Sequence, residues 1–249
     1  RVRTLSKASV GFIGMGYDED VFKAIERQTG INICQPYGLS EGNSQIFMGD
    51  PDDPVEIRKR VGGPMVFAEG EQIRIIDPDS NEPCPDGEVG EICLQGYNVT
   101  DRYLDKPDQT EAAFDENGWF HTGDLGLRDA ENGYIYYQSR MDDALRIRGF
   151  LVAPREIETI ITEHVDVEAA QVVGAPHPRH GEVAVAFLKA RNNAVGSSEI
   201  AEFLQGRVAD YKQPEAIEFI SEFPRSAGPH GDKIRKNELR DRVSDRYVG

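Results

Sequence analysis

The sequence predicts the tail of a large doubly wound α/β domain carrying a distorted β-barrel subdomain, followed by a small mobile α+β C-terminal domain. Three observations predict it. Residues 14–34 read as strand end, turn, helix and strand, which is α/β order. Residues 61–138 break into short strands separated by Gly, Pro, Asn and Asp. From about residue 140 helical periodicity returns between longer apolar runs.

In the first part, Asp18 is placed to cap a helix whose buried stripe is Val21, Phe22 and Ile25, and Gly30 closes it. Ile31 to Cys34 is the following strand. A parallel sheet needs more strands than residues 1–45 supply, so the rest is expected upstream of Arg1. In the second part, Gln72 to Ile76 alternates apolar and polar, Val89 to Leu94 is a second strand, and Asp86-Gly87 and Asn132-Gly133 are turns. A boundary falls at residues 139–142. A charged hairpin from Met141 to Val152 leads out of it, and residues 143–249 form the C-terminal domain, with a helix opened by Pro154 that carries Ile157, Ile160 and Ile161 on one face. Strands at Ala169 to Gly174 and Val183 to Arg191, a helix from Ser197 and a strand at Ala216 to Ile220 complete the unit.

Composition sets the class. A chain of 249 residues with 39% hydrophobic and 29% charged residues is long and apolar enough to bury a core. Its longest apolar run, Val183 to Leu188, is too short to span a bilayer, and a soluble, cytoplasmic enzyme is expected. Cys34, Cys84 and Cys93 lack metal or disulfide spacing and read as free thiols. The net charge of −16 argues against a nucleic-acid partner, because phosphate binding depends on Lys and Arg. An acidic surface poor in Lys is what a protein in concentrated salt carries, and equally what an acidic cytosolic enzyme carries.

Four segments are unusual enough to carry chemistry. Tyr37-Gly38-Leu39-Ser40-Glu41 directly follows a strand, where open α/β sheets bind ligands. A Tyr ring packs on a purine, a Ser hydroxyl donates to phosphate, and a Glu holds Mg²⁺ against it. In Gly118-Trp119-Phe120-His121-Thr122-Gly123-Asp124, an Asp in a tight Gly turn is a bidentate acceptor for ribose hydroxyls. Ser139-Arg140-Met141-Asp142-Asp143 lies at the boundary, where an Arg reaches a nucleotide from one side. Gly231-Asp232-Lys233-Ile234-Arg235-Lys236 presents a Lys from a Gly-bearing loop, able to neutralise developing phosphate charge. Taken singly, each has a plainer reading: a polar loop, a capped turn, a charged linker, a basic tail.

Their order and spacing together resemble the adenylate-forming superfamily of acyl-CoA synthetases, adenylation domains and luciferases, over nearly the whole chain. Tyr37 to Glu41 is similar to that family's Tyr-Gly-x-Ser/Thr-Glu motif. His121 to Asp124 resembles Arg-Thr-Gly-Asp with His for Arg, and Ser139 to Asp142 resembles Gly-Arg-x-Asp/Lys with Ser for Gly. Lys233 to Arg240 resembles Gly-Lys-Ile-x-Arg-x-x-Leu-Arg, with Asp232 between Gly and Lys and Lys236 in place of Arg.

The resemblance implies ATP-dependent activation of a carboxylic acid, fatty or aryl, to acyl-AMP and its transfer to CoA. It implies that Tyr37 packs on adenine, Gly38 and Ser40 lie against the nucleotide, and Ser40 contacts the α-phosphate. Glu41 then binds Mg²⁺, Asp124 the ribose hydroxyls with Arg140 assisting, and Tyr137 lines the adenine site. Lys233 serves adenylation, Asp142 is the hinge, and the hairpin around Gly149 guides the pantetheine thiol into its tunnel. The family's phosphate loop ending in Pro-Lys-Gly has no counterpart, and Gly11-Phe12-Ile13-Gly14-Met15-Gly16 is not a dinucleotide fingerprint. The chain therefore reads as the C-terminal portion of a longer enzyme, inactive alone, whose N-terminal portion is its missing partner. Two competing readings are an adenylation domain loading a carrier protein and a non-catalytic binding module of the same fold.

Overall fold

The computed structural model describes residues 10–12, 19–42, 45–66, 70, 72–191, 195–226 and 233–246. The chain divides into two compact units, Arg1–Gln138 and Ser139–Gly249.

The first unit opens with strand β1 (Val10–Phe12), helix α1 (Glu19–Thr29) and strand β2 (Asn32–Cys34). β1 and β2 pair in parallel with the helix between them, the connection a parallel pair requires. Phe22 is fully buried on α1, and Val21 and Ile25 are partly buried beside it. The cap expected at Asp18 lies outside the described residues. Glu26, one turn beyond Phe22, accepts from the Ile33 amide at 2.9 Å and pairs with Arg58. Arg58 also donates to the carbonyls of Ile33 (2.7 Å) and Asp53 (2.7 Å), tying α1 and β2 to the short helix α2 (Val55–Arg58).

Next comes a curled five-stranded antiparallel sheet built from β3 (Gly62–Gly63), β4 (Gln72–Ile76), β5 (Gly90–Gln95), β6 (Phe120–Arg128) and β7 (Ile135–Arg140), with helix α3 (Pro107–Ala113) before β6. The strand order is β3-β7-β6-β5-β4, and β3 and β4 are not paired with each other among the described residues, so the barrel is open there. β4 does not alternate in burial as its sequence predicts; its end, Ile75 and Ile76, is buried throughout. The reason is local. Residues 77–84 fold back over that end, with Asp77 N–H donating to Glu82 O (2.9 Å) and Cys84 N–H to Ile75 O (2.9 Å).

The second unit begins with a single 3-10 turn (Met141–Asp143), then β8 (Leu145–Ile147) and β9 (Phe150–Val152). The hairpin expected from Met141 is thus confined to residues 145–152, with Arg148-Gly149 as its two-residue turn. Both turn residues are left-handed, φ 52° and 85°, as a primed hairpin turn requires, and only the second is a glycine. Helix α4 (Pro154–Thr162) starts on its proline and buries Ile157 and Ile161, with Ile160 partly covered.

Strands β10 (Val167–His177) and β11 (Gly181–Ala190) form a hairpin in which β10 outruns the predicted strand at both ends, while β11 starts two residues earlier and stops one residue sooner than predicted. Both of its faces are covered, which removes the polar alternation that marks strand ends. Val172, Ala184, Ala186 and Leu188 pack with α4 and with α5 (Ser197–Leu204). Val173, Val183, Val185 and Phe187 pack with Leu239 and Val243, in and beyond the last helix α6 (Lys236–Asp241). Burying a Val, Leu or Phe side chain contributes about 1.5–3 kcal/mol, so both faces of this hairpin add to the unit's stability. β12 (Ala216–Phe219) runs parallel to β11, while β13 (Arg225–Ser226) and β14 (Lys233–Ile234) pair antiparallel to each other.

Candidate active site

In the first unit, Tyr37 stands three residues past β2, held by Tyr37 N–H to Phe47 O (2.8 Å) and Ile46 N–H to Tyr37 O (2.9 Å). Its hydroxyl donates to Asp124 Oδ2 at 2.8 Å. The two residues are 3% and 5% exposed, so the bond is shielded from water. Burial, and then the negative charge of Asp124, push the Tyr37 hydroxyl well above its ordinary range. Tyr37 therefore stays protonated and donates to the Asp124 carboxyl.

The Tyr37 ring stacks on Phe47 at 4.8 Å and on Tyr137 at 5.6 Å. In this conformation a purine gains a face of Tyr37 only by displacing a neighbour, which the expectation of adenine packing did not include. Tyr137 is partly buried and hangs from β7, whose amide there bonds Val61 O (2.9 Å).

Asp124 owes its place to an irregularity between β5 and β6. Glu91 pairs with Leu125 and Cys93 with His121, so two steps on β5 face four on β6. The surplus makes a bulge in which Gly123 takes φ 66° and Asp124 N–H bonds Thr122 Oγ1 (3.0 Å). Thr122 in turn donates to Ile92 O at 2.7 Å. Beneath the bulge, Glu91 accepts the Gly123 amide through Oε1 (2.9 Å), and its Oε2 lies 2.8 Å from His121 Nδ1. Cys93 Sγ is 3.6 Å from the same ring nitrogen, and burial pushes its thiol up to about 12.

Ser40, Glu41 and Gly42 form a 3-10 turn, with Gly38 and Ser40 exposed. Segment 98–103 pins it: Thr100 N–H donates to Glu41 O (2.7 Å), Asn98 to Gly42 O (3.3 Å) and the Tyr103 hydroxyl to Glu41 Oε1 (3.0 Å). A half-buried carboxylate with one oxygen already anchored is the hard donor that Mg²⁺ takes alongside phosphate oxygens, so the residues present fit that ion.

In the second unit, Arg140 ends β7 on the surface and Asp142 sits exposed in the 3-10 turn. Arg240 of α6 reaches back to that turn, donating to Asp143 Oδ1 (2.7 Å) and Asp142 O (3.4 Å). Gly149 is the exposed hairpin tip, and Lys233 opens β14 opposite Ser226. Lys236 does not belong to a solvated tail: its ammonium binds Glu158 Oε1 at 2.8 Å, and that oxygen also accepts the Val172 amide at 2.8 Å.

The structure thus joins Tyr37, Asp124 and Tyr137 in one cluster and sets Glu41 on a turn braced by Tyr103. Phe47, Tyr103 and Glu91 escaped sequence reasoning. Glu91 alone left a signal, an acidic residue inside the otherwise apolar strand Gly90 to Leu94.

A parallel βαβ element, a curled antiparallel sheet bearing a tyrosine–aspartate pair, and a separate α+β unit are the parts of an adenylate-forming fold. Residues 2–104 match the AMP-binding enzyme family, and residues 156–228 match the AMP-binding enzyme C-terminal domain. The chain is 36% identical over 218 residues to a sulfoacetate–CoA ligase of Cupriavidus necator, covering 87% of this chain and 41% of that protein. It is 32% identical over 212 residues to a 4-coumarate–CoA ligase of Pinus taeda, covering 84% and 38%. ATP-bound MatB from Rhodopseudomonas palustris superposes with a TM-score of 0.77 at 28% identity, over 96% of this chain and 46% of that one. The o-succinylbenzoate CoA synthetase of Bacillus subtilis, solved with its acyl-adenylate, gives 0.73 at 31% identity, over 93% and 46%. The chain belongs to the adenylate-forming, AMP-binding enzyme superfamily, and spans about two fifths of the length of these curated relatives.

Proposed function

We propose that this chain is the C-terminal portion of an AMP-forming acid–CoA ligase, which converts a fatty or aryl acid to acyl-AMP and passes the acyl group to CoA. The observation that carries this is the buried Tyr37–Asp124 hydrogen bond beside the Glu41 turn. It supports a site that reads adenine, ribose and phosphate from one wall. Asp124 accepts the ribose hydroxyls, with Arg140 assisting from the linker. Tyr37 and Tyr137 form the aromatic wall for adenine, and Gly38 leaves room beside it. Ser40 donates to the α-phosphate.

Glu41 holds Mg²⁺, which when bound neutralises phosphate charge. Lys233 stabilises charge on the reacting carboxylate and α-phosphate during adenylation. The second unit then turns at Asp142, withdrawing Lys233 and bringing the Gly149 hairpin to the pantetheine thiol. Each half-reaction needs a different face of the small unit against the same acyl-AMP, and the short linker suits such a turn.

The test is release of AMP by the full-length enzyme, dependent on both acid and CoA, across a panel of fatty and aryl acids. Failure of every acid to release AMP, with ATP bound, would remove the ligase reading.

A further inference from the structure

We infer that Glu91 is a positioning residue for nucleotide recognition, acting through the β5–β6 bulge to hold Asp124 where it meets both Tyr37 and the ribose. This rests on the reading of Asp124 as the ribose acceptor. Glu91 is 5% exposed, in a strand whose other described residues through Leu94 are buried and apolar or small. A carboxylate is retained in such a place only where its oxygens are occupied. Here they are occupied by parts of the bulge and by nothing else among the contacts described: the Gly123 amide on Oε1 and the His121 ring on Oε2.

Those two residues are neighbours of Thr122, whose hydroxyl bonds both Ile92 O and the Asp124 amide. Glu91 therefore grips the surplus residues of β6 on either side of Thr122 and fixes the left-handed Gly123, so that Asp124 emerges facing Tyr37. Without that grip, the two residues by which β6 exceeds β5 have only the Thr122 contacts to set their path. Glu91 touches neither substrate nor reacting atoms in this scheme. Its effect is to orient the acceptor, and so it is read through the ribose hydroxyls. Cys93, packed against the same ring nitrogen, closes the apolar side of the grip.

The experiment compares the full-length enzyme with Glu91→Ala and Glu91→Asp, using ATP, 2′-deoxyATP and 3′-deoxyATP. Glu91→Ala is expected to raise KM for ATP about tenfold, the loss of roughly one charge-assisted hydrogen bond. It should also erase most of the preference for ATP over the deoxy analogues, leaving KM for acid and CoA and the kcat at saturating ATP within about twofold. Glu91→Asp keeps the charge and the buried site but, one methylene shorter, does not span Gly123 and His121 together. It should lose part of the same preference, and it carries the test if the alanine variant fails to fold. Wild-type ribose preference in the folded variants overturns the inference, as does a uniform fall in kcat with that preference intact. A wild-type enzyme that binds ATP without any preference over the deoxy analogues overturns the Asp124 reading instead. The wild-type measurement separates the two failures.

Discussion

The Tyr37 hydroxyl and the Asp124 carboxylate, 87 positions apart in sequence, share a 2.8 Å hydrogen bond inside the first unit. The bond serves stability and recognition at once. Tyr37→Phe leaves the ring stack in place and strips one donor from a buried carboxylate, a change of about 1–3 kcal/mol. In a chain of this size that lowers the melting temperature by about 2–4 °C per kcal/mol. In the full-length enzyme we expect KM for ATP to rise more than kcat falls. An unchanged melting temperature would show that water replaces the hydroxyl at no loss.

Lys233 and Asp142 should separate the two half-reactions. Lys233→Ala in the full-length enzyme is expected to abolish ATP–pyrophosphate exchange while CoA transfer to supplied acyl-AMP persists. Asp142→Pro fixes a backbone angle in the 3-10 turn that Arg240 clamps, and should slow the transfer step selectively. The paired assay checks both. Equal loss of exchange and transfer in each variant would contradict a turn at this linker.

Gly149 isolates backbone strain from contact. A Cβ there would meet nothing within 4 Å, yet φ is 85°. Gly149→Ala should therefore destabilise by about 1 kcal/mol through strain alone, read as a shift in urea midpoint. Asn, which tolerates the left-handed region, should recover part of that loss. If the hairpin guides the thiol, both substitutions leave ATP–pyrophosphate exchange unchanged and lower only the transfer rate.

Much of this architecture was legible because local chemistry and tertiary fate agree. Phe22, Ile157 and Ile161 recur at helical spacing and are buried, and the Arg148-Gly149 turn falls between paired strands. Strand β10 of the long hairpin was read short because both faces are covered, so no polar alternation marks where pairing stops. The candidate site residues stood out as motifs, since Tyr37, Glu41 and Asp124 carry distinctive neighbours, and the structure brings Tyr37 and Asp124 together. Their supports did not. Phe47, Tyr103 and Glu91 act through pairings separated by 10, 62 and 32 residues, which no local pattern encodes.

Acid should unfold the chain through three carboxylates held below their ordinary values. For Glu26, burial opposes ionisation, and the Arg58 hydrogen bond, the Ile33 amide and the Arg58 charge outweigh it, giving a value below 4.5. For Asp115, burial is outweighed by the Trp119 amide, Arg74 and the Asn117 amide; for Asp129, by Arg60 and the amides of Glu131 and Asn132, both ending below 3.8. Because the folded values are depressed, the unfolded chain binds more protons in this range. Their contribution is present above the unfolded values and is lost as pH falls through the folded ones. Melting temperature should hold from pH 7 to about 5 and then decline. Arg58→Met, which removes the partner of Glu26, should flatten the upper part of that decline.

Salt should act in the opposite sense to acid, and how far it acts decides what the charge is for. The net charge of −16 is spread over the surface, and Asp101, Asp105, Asp108, Glu111 and Glu116 are all exposed around α3. Like charges on that scale repel over roughly a Debye length, about 30 Å at 0.01 M salt and about 3 Å at 1 M. Screening alone should therefore raise the melting temperature up to about 0.5–1 M NaCl and then stop, because little repulsion is left to screen. Surface ion pairs such as Lys189–Glu168 weaken over the same range, but each contributes less than about 1 kcal/mol and they do not reverse the trend. A plateau near 1 M marks an ordinary acidic enzyme. A rise that continues to 3 M, and that exceeds the gain from sucrose, which strengthens apolar burial without ions, marks a surface adapted to concentrated salt.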